Sequence, residues 1–133
     1  MPLPLVGADP SAPILDGLSS LLGVPVGWDM PTGTGRRVRL TLSPGAMGTP
    51  VTQRMSLTVS CYADQPDGSC DWDAAAAMFR ACASWVLAHA KAWPLVSAEL
   101  MAGPIQQHDV ELGVDYAYGS LMLDVAAITQ QPS

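Results

Sequence analysis

Hydrophobic and polar residues alternate in two neighbouring segments of the chain, residues 36–43 and residues 54–61. The apolar positions of the two segments are Val38, Leu40 and Leu42, then Met55, Leu57, Val59 and Cys61. A period of two is typical of a strand with one buried face. The sequence therefore predicts an antiparallel hairpin. Residues 44–50 join its strands, and we do not expect their prolines and glycines to continue the ladder.

Two other segments repeat their apolar residues every three or four positions, which is typical of amphipathic helices. The first has Ser11 as a candidate N-cap and ends at Gly23. The second follows Asp71 and Asp73, whose negative charge favours the first turn of a helix, and runs to about Trp93. Its apolar face consists of Ala75, Met78, Phe79, Cys82, Val86, His89 and Trp93. We expect this face to lie on the sheet.

Three further strands are predicted outside the hairpin. Residues 24–30 form a short first strand, and residues 95–102 form a strand in which Val96 and Leu100 are core candidates. Residues 114–128 form the last strand. One side of this strand consists of Ala117, Gly119, Leu121, Leu123 and Val125. The order of elements predicts an α+β fold, a mainly antiparallel sheet of four to five strands with two helices packed on one face.

Length and composition fit one globular domain. The chain has 133 residues, 49% of them hydrophobic and 14% charged, and we expect a single domain over residues 1–133 with flexible ends at about 1–10 and 129–133. Its formal charge of -6 disfavours sequence-specific binding to nucleic acid. No apolar run has the length of a membrane span. A mean hydropathy of +0.24 indicates that some apolar surface meets another subunit.

The candidate catalytic and metal-binding residues each have a simpler structural interpretation. Cys82 and His89 share a helix face, but a rise of about 1.5 Å per residue separates them by roughly 10 Å, too far for direct proton transfer. The cysteines contain no CxxC pair and are predicted to be free thiols: Cys61, Cys70 and Cys82. One acidic cluster lacks EF-hand spacing and fits a turn with a helix cap: Asp64, Asp67, Asp71 and Asp73. We therefore predict no catalytic residue, no metal and no cofactor.

Three arginines lie on the outward side of the predicted hairpin, namely Arg37, Arg39 and Arg54. One interpretation is an ordinary solvated sheet face, where each charge has little effect on stability. The other is a charged contact with a neighbouring subunit. Acidic partners for such a contact are available on the predicted strands, namely Glu99, Asp115 and Asp124.

Several stretches of the chain, taken in order over about residues 15–128, resemble the tail terminator proteins of siphophages that infect actinobacteria. They are the strand GRRVRL, the strand RMSLTVSCYA, the Ala-rich helix DAAAAMFRACASWVL, the segment VSAELMAGP and the last strand VDYAYGSLMLDVAA. The segment before Gly35 departs from this pattern, because members of the family often carry a longer helix and strand there.

The resemblance implies a non-enzymatic virion protein. Such a protein forms a homohexameric ring, docks on the last ring of the major tail tube protein, ends tube polymerisation and presents a surface to the head-tail connector protein. It is assembled in the host cytoplasm and located in the tail, and DNA can pass through its ring. A head-tail connector or another minor tail subunit of the same fold is the alternative. A small ligand-binding domain is a further one.

If the chain forms such a ring, its own sequence pattern suggests which residues make the contacts. The segment 43–52 is expected to touch an adjacent ring through Pro44, Gly45, Met47, Gly48 and Pro50. The three arginines are expected to pair across the subunit boundary with the three acidic residues named above. Symmetry matching to the tube predicts six copies.

Overall fold

The computed structural model describes residues 5–49 and 51–129. Its elements in chain order are β1 (Leu5–Gly7), α1 (Ser11–Leu22), β2 (Val26–Gly27), β3 (Arg36–Thr49), β4 (Thr52–Ala63), α2 (Trp72–Ala88), β5 (Leu95–Asp109) and β6 (Val114–Thr129). The predicted α+β fold, with both helices on one face of a mostly antiparallel sheet, is confirmed. None of the described helices is long and apolar enough to cross a membrane.

The sheet is built around β6, which pairs antiparallel with β4 along one edge and with β5 along the other. The strand β3 pairs antiparallel with β4, and the short β2 lies parallel to β3. The first strand, β1, pairs with the last three residues of β6. The alternation predicted for β3, β4 and β6 is confirmed, since these strands direct their fully buried residues toward the helices: Val38, Leu40, Leu57, Val59, Cys61, Ala117, Leu121, Leu123 and Val125.

The start of the chain is more ordered than the sequence suggested. Residues 5–7 form β1, and the N–H group of Ala8 donates to the carbonyl of Ala126 at 2.8 Å. The end predicted to be flexible, residues 1–10, thus includes a paired strand at residues 5–7, whereas residues 1–4 and 130–133 lie outside the described residues. Helix α1 has Pro10 as its N-cap rather than Ser11, and it ends as predicted with Gly23 in the left-handed conformation.

Residues 44–49 continue β3, so the prediction that they leave the ladder is wrong. The N–H group of Val38 donates to the carbonyl of Pro25 on the β2 side. Backbone groups alternate between the two edges of a strand, so the nitrogen of Pro44 also points away from β4. The lack of an N–H group on Pro44 therefore removes no hydrogen bond between β3 and β4. The pairing of β3 with β4 is irregular only beyond Pro44, where the register shifts between Pro44 and Met47 and again between Met47 and Thr49.

The prediction for β5 is wrong in length and in the choice of core residues. The strand continues past Gly103 to Asp109. A register shift between Leu95 and Ser97 moves the alternation by one residue, so that Val96 points outward. Leu100, at the edge of the sheet, is 46% exposed, while Leu95 is buried.

Helix α2 ends at Ala88 rather than at about Trp93. His89 follows as the C-cap, and turns over residues 89–94 bring Leu95 onto the sheet. As a result, His89 and Trp93 leave the predicted apolar face, and Trp93 is 70% exposed. The strand predicted at 24–30 is also shorter, because only Val26–Gly27 pairs with β3.

Phe79 of α2 lies directly on two glycines of the sheet. A Cβ atom at Gly119 would be 2.2 Å from Cζ of Phe79 and 2.4 Å from the carbonyl oxygen of Ala102. A Cβ atom at Gly103 would be 3.0 Å from the same Cζ and 2.7 Å from Cα of Gly119. The absence of side chains at both positions allows α2 to approach β5 and β6 this closely.

We expect Gly119→Ala to lower the free energy of unfolding by about 1–3 kcal/mol, because the added methyl group overpacks the contact with Phe79. Urea denaturation measures this change. The matched control is Gly48→Ala on the exposed part of β3, where the added Cβ would come no closer than 3.3 Å to the nearest atoms, which belong to the side chains of Arg54 and Asp124. It should change stability by less than about 0.5 kcal/mol. Equal effects in the two variants would contradict the packing argument.

Candidate functional site

The sheet face opposite the helices, called the open face below, carries mostly small hydroxyl side chains in its middle. They are Thr41, Ser56, Thr58, Ser60 and Ser120, and all but Thr41 are half-buried. The tyrosines lie toward one end of this face and Arg54 toward the other. Such a broad, weakly charged surface suits contact with another protein better than capture of a small molecule.

At one end of the open face, tyrosines connect three strands. The rings of Tyr62 and Tyr116 stack with centroids 4.6 Å apart, and Tyr118 follows at 6.3 Å from Tyr116. The hydroxyl of Tyr62 donates to Oδ2 of Asp109 at 2.9 Å. Burial, aided by this hydrogen bond, raises the pKa of Tyr62. The pKa of Asp109 is lowered, chiefly by the hydrogen bond from the N–H group of Leu112. These contacts fix the β5–β6 turn to β4.

Arg37 is part of the protein interior, because only 3% of its surface is exposed. Its Nη1 lies 2.9 Å from Oδ2 of Asp64 and 3.0 Å from the carbonyl oxygen of Gly35. Its guanidinium group also lies 5.0 Å from the centroid of the Tyr62 ring. The expectation that Arg37 projects toward a neighbouring subunit is therefore wrong. The carboxylate and the aromatic ring that contact it both belong to the same chain.

Arg54 has a partner in its own chain as well. Its Nε lies 3.6 Å from Oδ1 of Asp124 on the adjacent strand, and Ser97 donates to Oδ2 of Asp124 at 2.7 Å. Arg39 lies opposite Ser60, six residues along β4 from Arg54, which corresponds to about 20 Å. The arginines therefore form no common cluster. Arg39 is exposed and makes no ion pair within the described residues.

The acidic candidates lie in three different settings. Asp124 is bound as just described. Asp115 lies on the helical side of β6, where Nδ1 of His108 is 2.7 Å from its Oδ1 and Nε2 of Gln106 donates to its Oδ2 at 2.9 Å. These hydrogen bonds, that of His108 first, lower the pKa of Asp115. Glu99, opposite Met122, is exposed on the open face and makes no ion pair within the described residues.

The predicted contact loop is an exposed sheet edge. Pro44, Gly45, Met47 and Gly48 all lie in β3, and the side-chain amide of Gln53 donates to the carbonyl of Gly45 at 2.9 Å. Pro50 lies outside the described residues. In the described part of the chain, β2 covers only Val38 and Arg39 of the outer edge of β3. Residues 40–49 therefore offer backbone groups that can pair with another strand.

The opposite edge of the sheet is the strongest candidate for an assembly surface, and the sequence pattern did not identify it. Within the described residues β5 pairs only with β6, so its outer edge is free. The large apolar residues exposed along β5 are Val96, Leu100, Met101 and Ile105. The signal available in the sequence was that apolar residues of this segment occupy both odd and even positions. An unpaired apolar edge readily pairs with another chain unless it is covered.

The residues weighed for catalysis are directed to different partners. Cys82 is buried, and its hydrogen bond with Cys61, together with burial, raises the pKa of Cys61. His89 is exposed, stacks on Trp85 at 4.0 Å between ring centroids, and has its Nδ1 2.8 Å from the carbonyl oxygen of Trp85. The thiol and the imidazole therefore do not meet. The three cysteines are free, as predicted.

The acidic turn before α2 supports local structure. Asp71 is the N-cap and accepts a hydrogen bond from the N–H group of Ala74 at 3.2 Å, as predicted for a capping residue. Asp67 accepts from the hydroxyl of Ser69 at 2.6 Å, and Asp64 is paired with Arg37. Among the described residues no group of three His, Cys, Asp or Glu side chains is arranged to hold a metal ion.

An apolar cavity of about 170 Å³ lies between the start of α1 and the end of α2. Its lining is formed by Pro10, Pro13, Ile14, Trp85, His89, Ala92, Trp93, Pro94 and Leu95. Pockets for small molecules usually have about 300–1,000 Å³ and several convergent polar groups. This cavity therefore gives little support to a ligand-binding function.

Comparison with known proteins finds no family model that matches the chain and no curated protein similar to it. The geometry of the two sheet edges and of the open face must therefore carry the functional argument, together with the resemblance described above.

We expect Asp64→Ala to lower the free energy of unfolding by about 3–5 kcal/mol, because it leaves the buried Arg37 guanidinium without a counter-charge. Arg39→Ala, which removes an exposed arginine two residues away, should change it by less than about 0.5 kcal/mol. The double variant Arg37→Met with Asp64→Leu should recover most of the loss. Urea denaturation distinguishes these cases, and a stable Asp64→Ala variant would show that Arg37 is not held as described.

Proposed function

We propose that this chain is a structural virion subunit, a tail terminator that forms a ring on the end of a phage tail tube, ends its polymerisation and provides the surface for head joining. The observation that carries the proposal is the free apolar edge of β5. A long edge of this kind, with Leu100 46% and Met101 54% exposed, requires a protein partner to keep it from non-specific association.

The arrangement of the fold supports an assembly role in a second way. Both edges of the sheet are at least partly free among the described residues, at β5 and at residues 40–49 of β3. A subunit with two different free edges can bind one neighbour on each side, as a closed ring requires. The open face leaves a further broad surface for the tube or the connector.

The overall charge is compatible with a ring that surrounds DNA without holding it. A formal charge of -6 disfavours strong binding to phosphates, and tight binding would obstruct DNA passage. The proposed partners are further copies of this chain in a homohexamer, the major tail tube protein and the head-tail connector protein. The proposed location is the tail of the virion, after assembly in the host cytoplasm.

The proposal is tested with tail-tube protein from the same virus. Tubes polymerised in the presence of this chain should stop growing and carry six copies at one end in electron micrographs. Binding to connector rings without any effect on tube growth would favour the alternative, a connector subunit of the same fold. Binding to neither would overturn the proposal.

We expect the double variant Leu100→Lys with Met101→Lys to remain folded and to lose capping. Each buried polar group without a partner costs about 1–3 kcal/mol, so the concentration needed for capping should rise about tenfold or more. Tube length at increasing subunit concentration measures the effect. Leu21→Lys, which places a lysine at an exposed leucine of α1, is the matched control and should cap normally. If the β5 variant caps tubes normally, the β5 edge is not needed for assembly.

A further inference from the structure

Basic and acidic residues are segregated to opposite sides of the sheet. Residues 36–63, which include β3 and β4, contain four arginines and no acidic residue. Residues 92–129, which include β5 and β6, contain five acidic residues and no lysine or arginine. Two of these arginines are used within the chain, Arg37 with Asp64 and Arg54 with Asp124. Arg36 and Arg39 remain exposed on the β3 side, and Glu99 and Glu111 on the β5 side.

The directions of the strands make the two edges compatible with each other. Each of the pairs β3 with β4, β4 with β6 and β6 with β5 is antiparallel. The strand β5 therefore runs opposite to β3. A second copy in the same orientation, placed beside the first, would bring its β3 antiparallel to β5. The helices of both copies would then lie on the same face of one continuous sheet.

We propose that the free edge of β5 pairs with residues 40–49 of β3 in a second copy of this chain, head to tail. The inference rests on the proposed function only in taking the partner to be another copy. The charge segregation favours this pairing over contact between two β5 edges, because two acidic edges would repel each other.

The positions of the residues along the sheet agree with this pairing for residues 95–102 of β5. Ile105 and Gln106 are level with Arg39 and Val38, which β2 already covers, so the contact ends before them. Ser43 lies opposite Ser56, which lies opposite Met122, which lies opposite Glu99. Ser43 and Glu99 thus occupy one row across the sheet. By the same pairings, the free part of β3 is level with the part of β5 that carries the exposed Leu100 and Met101. The contact would therefore cover the most apolar part of the β5 edge.

The exposed charges would orient the two copies. The arginines at the start of β3 and the acidic turn between β5 and β6 lie at the same end of the sheet. Arg37 is opposite Tyr62, whose ring stacks on Tyr116, and Tyr116 is opposite Gln107. In neighbouring copies, Glu111 of one would approach Arg36 of the next, whereas Arg39 is level with Ile105 and lies farther from this turn. Exposed pairs of this kind add little affinity, but they penalise wrong alignments.

Variants with one exposed cysteine test the pairing. In a Cys70→Ser background the remaining native thiols, Cys61 and Cys82, are buried. One protein carries Glu99→Cys, and partner proteins carry Thr41→Cys, Ser43→Cys or Met47→Cys to cover a stagger between copies. Each protein carries only one engineered cysteine, so a short bismaleimide can link the engineered positions only between copies.

We expect linked dimers when Glu99→Cys is mixed with at least one of the β3 variants, and none with either protein alone. The control Ser20→Cys, on the exposed side of α1, should give none with Glu99→Cys. Dimers of Glu99→Cys alone would overturn the proposal in favour of β5 paired with β5. The absence of linked dimers with all three β3 positions, both in solution and on tail tubes, would also overturn it.

A charge exchange provides a second measurement. Arg36→Glu should weaken self-association about two- to fivefold at low salt, and mixing with a Glu111→Arg variant should restore it. No change at low salt would show that the charges do not orient the copies. Tube capping without cross-linking would refute this pairing and leave the proposed function intact. Cross-linking without capping would refute the function and leave the pairing.

Discussion

The contact of Phe79 with Gly119 and Gly103 is the packing constraint on which the rest of the structure depends. It requires two strand positions without side chains, and it brings α2 close to β5 and β6. Gly103 has a φ angle of 112° and lies between Ala102 and Ile105, where the register of β5 against β6 shifts. Such shifts change which side of a strand its residues face. The strand β5 therefore does two things. Through Gly103 it lets α2 pack closely on the sheet, and because of its register shifts some of its apolar residues lie outside the core.

The parts of the fold that followed from the sequence are those with an unbroken register. The pairing of β3 with β4 runs without interruption up to Pro44, and that of β4 with β6 runs from Cys61 to Thr52, so alternation correctly gave the buried side. Alternation failed in β5, where three register shifts separate the residues into short regular pieces. It also failed at residues 44–49, because a proline breaks a ladder only on the edge that its nitrogen faces. That edge is known only from the tertiary structure.

The candidate site was predicted less well than the fold, for a related reason. Arg37 and Arg39 have the same position in the alternating pattern, yet one is buried and the other exposed. The difference comes from Asp64, which is 27 residues away in sequence and 2.9 Å away in space. The pairing of Arg54 with Asp124 depends likewise on the register of β4 against β6. Periodicity predicts on which face of the sheet a residue lies, but its contact partners on neighbouring strands depend on the register.

If copies pair head to tail as we propose, β2 limits how strongly they can do so. It covers Val38 and Arg39, so only residues 40–49 of β3 remain for pairing, and Pro44 offers no N–H group to the neighbour. A head-to-tail contact must close into a ring or continue as a filament, and sheet twist alone does not fix which. A short, interrupted edge makes each contact weak. Contacts this weak would not join free subunits into filaments. On the six-fold end of a tube, which holds the subunits side by side, the same contacts would suffice to close a ring.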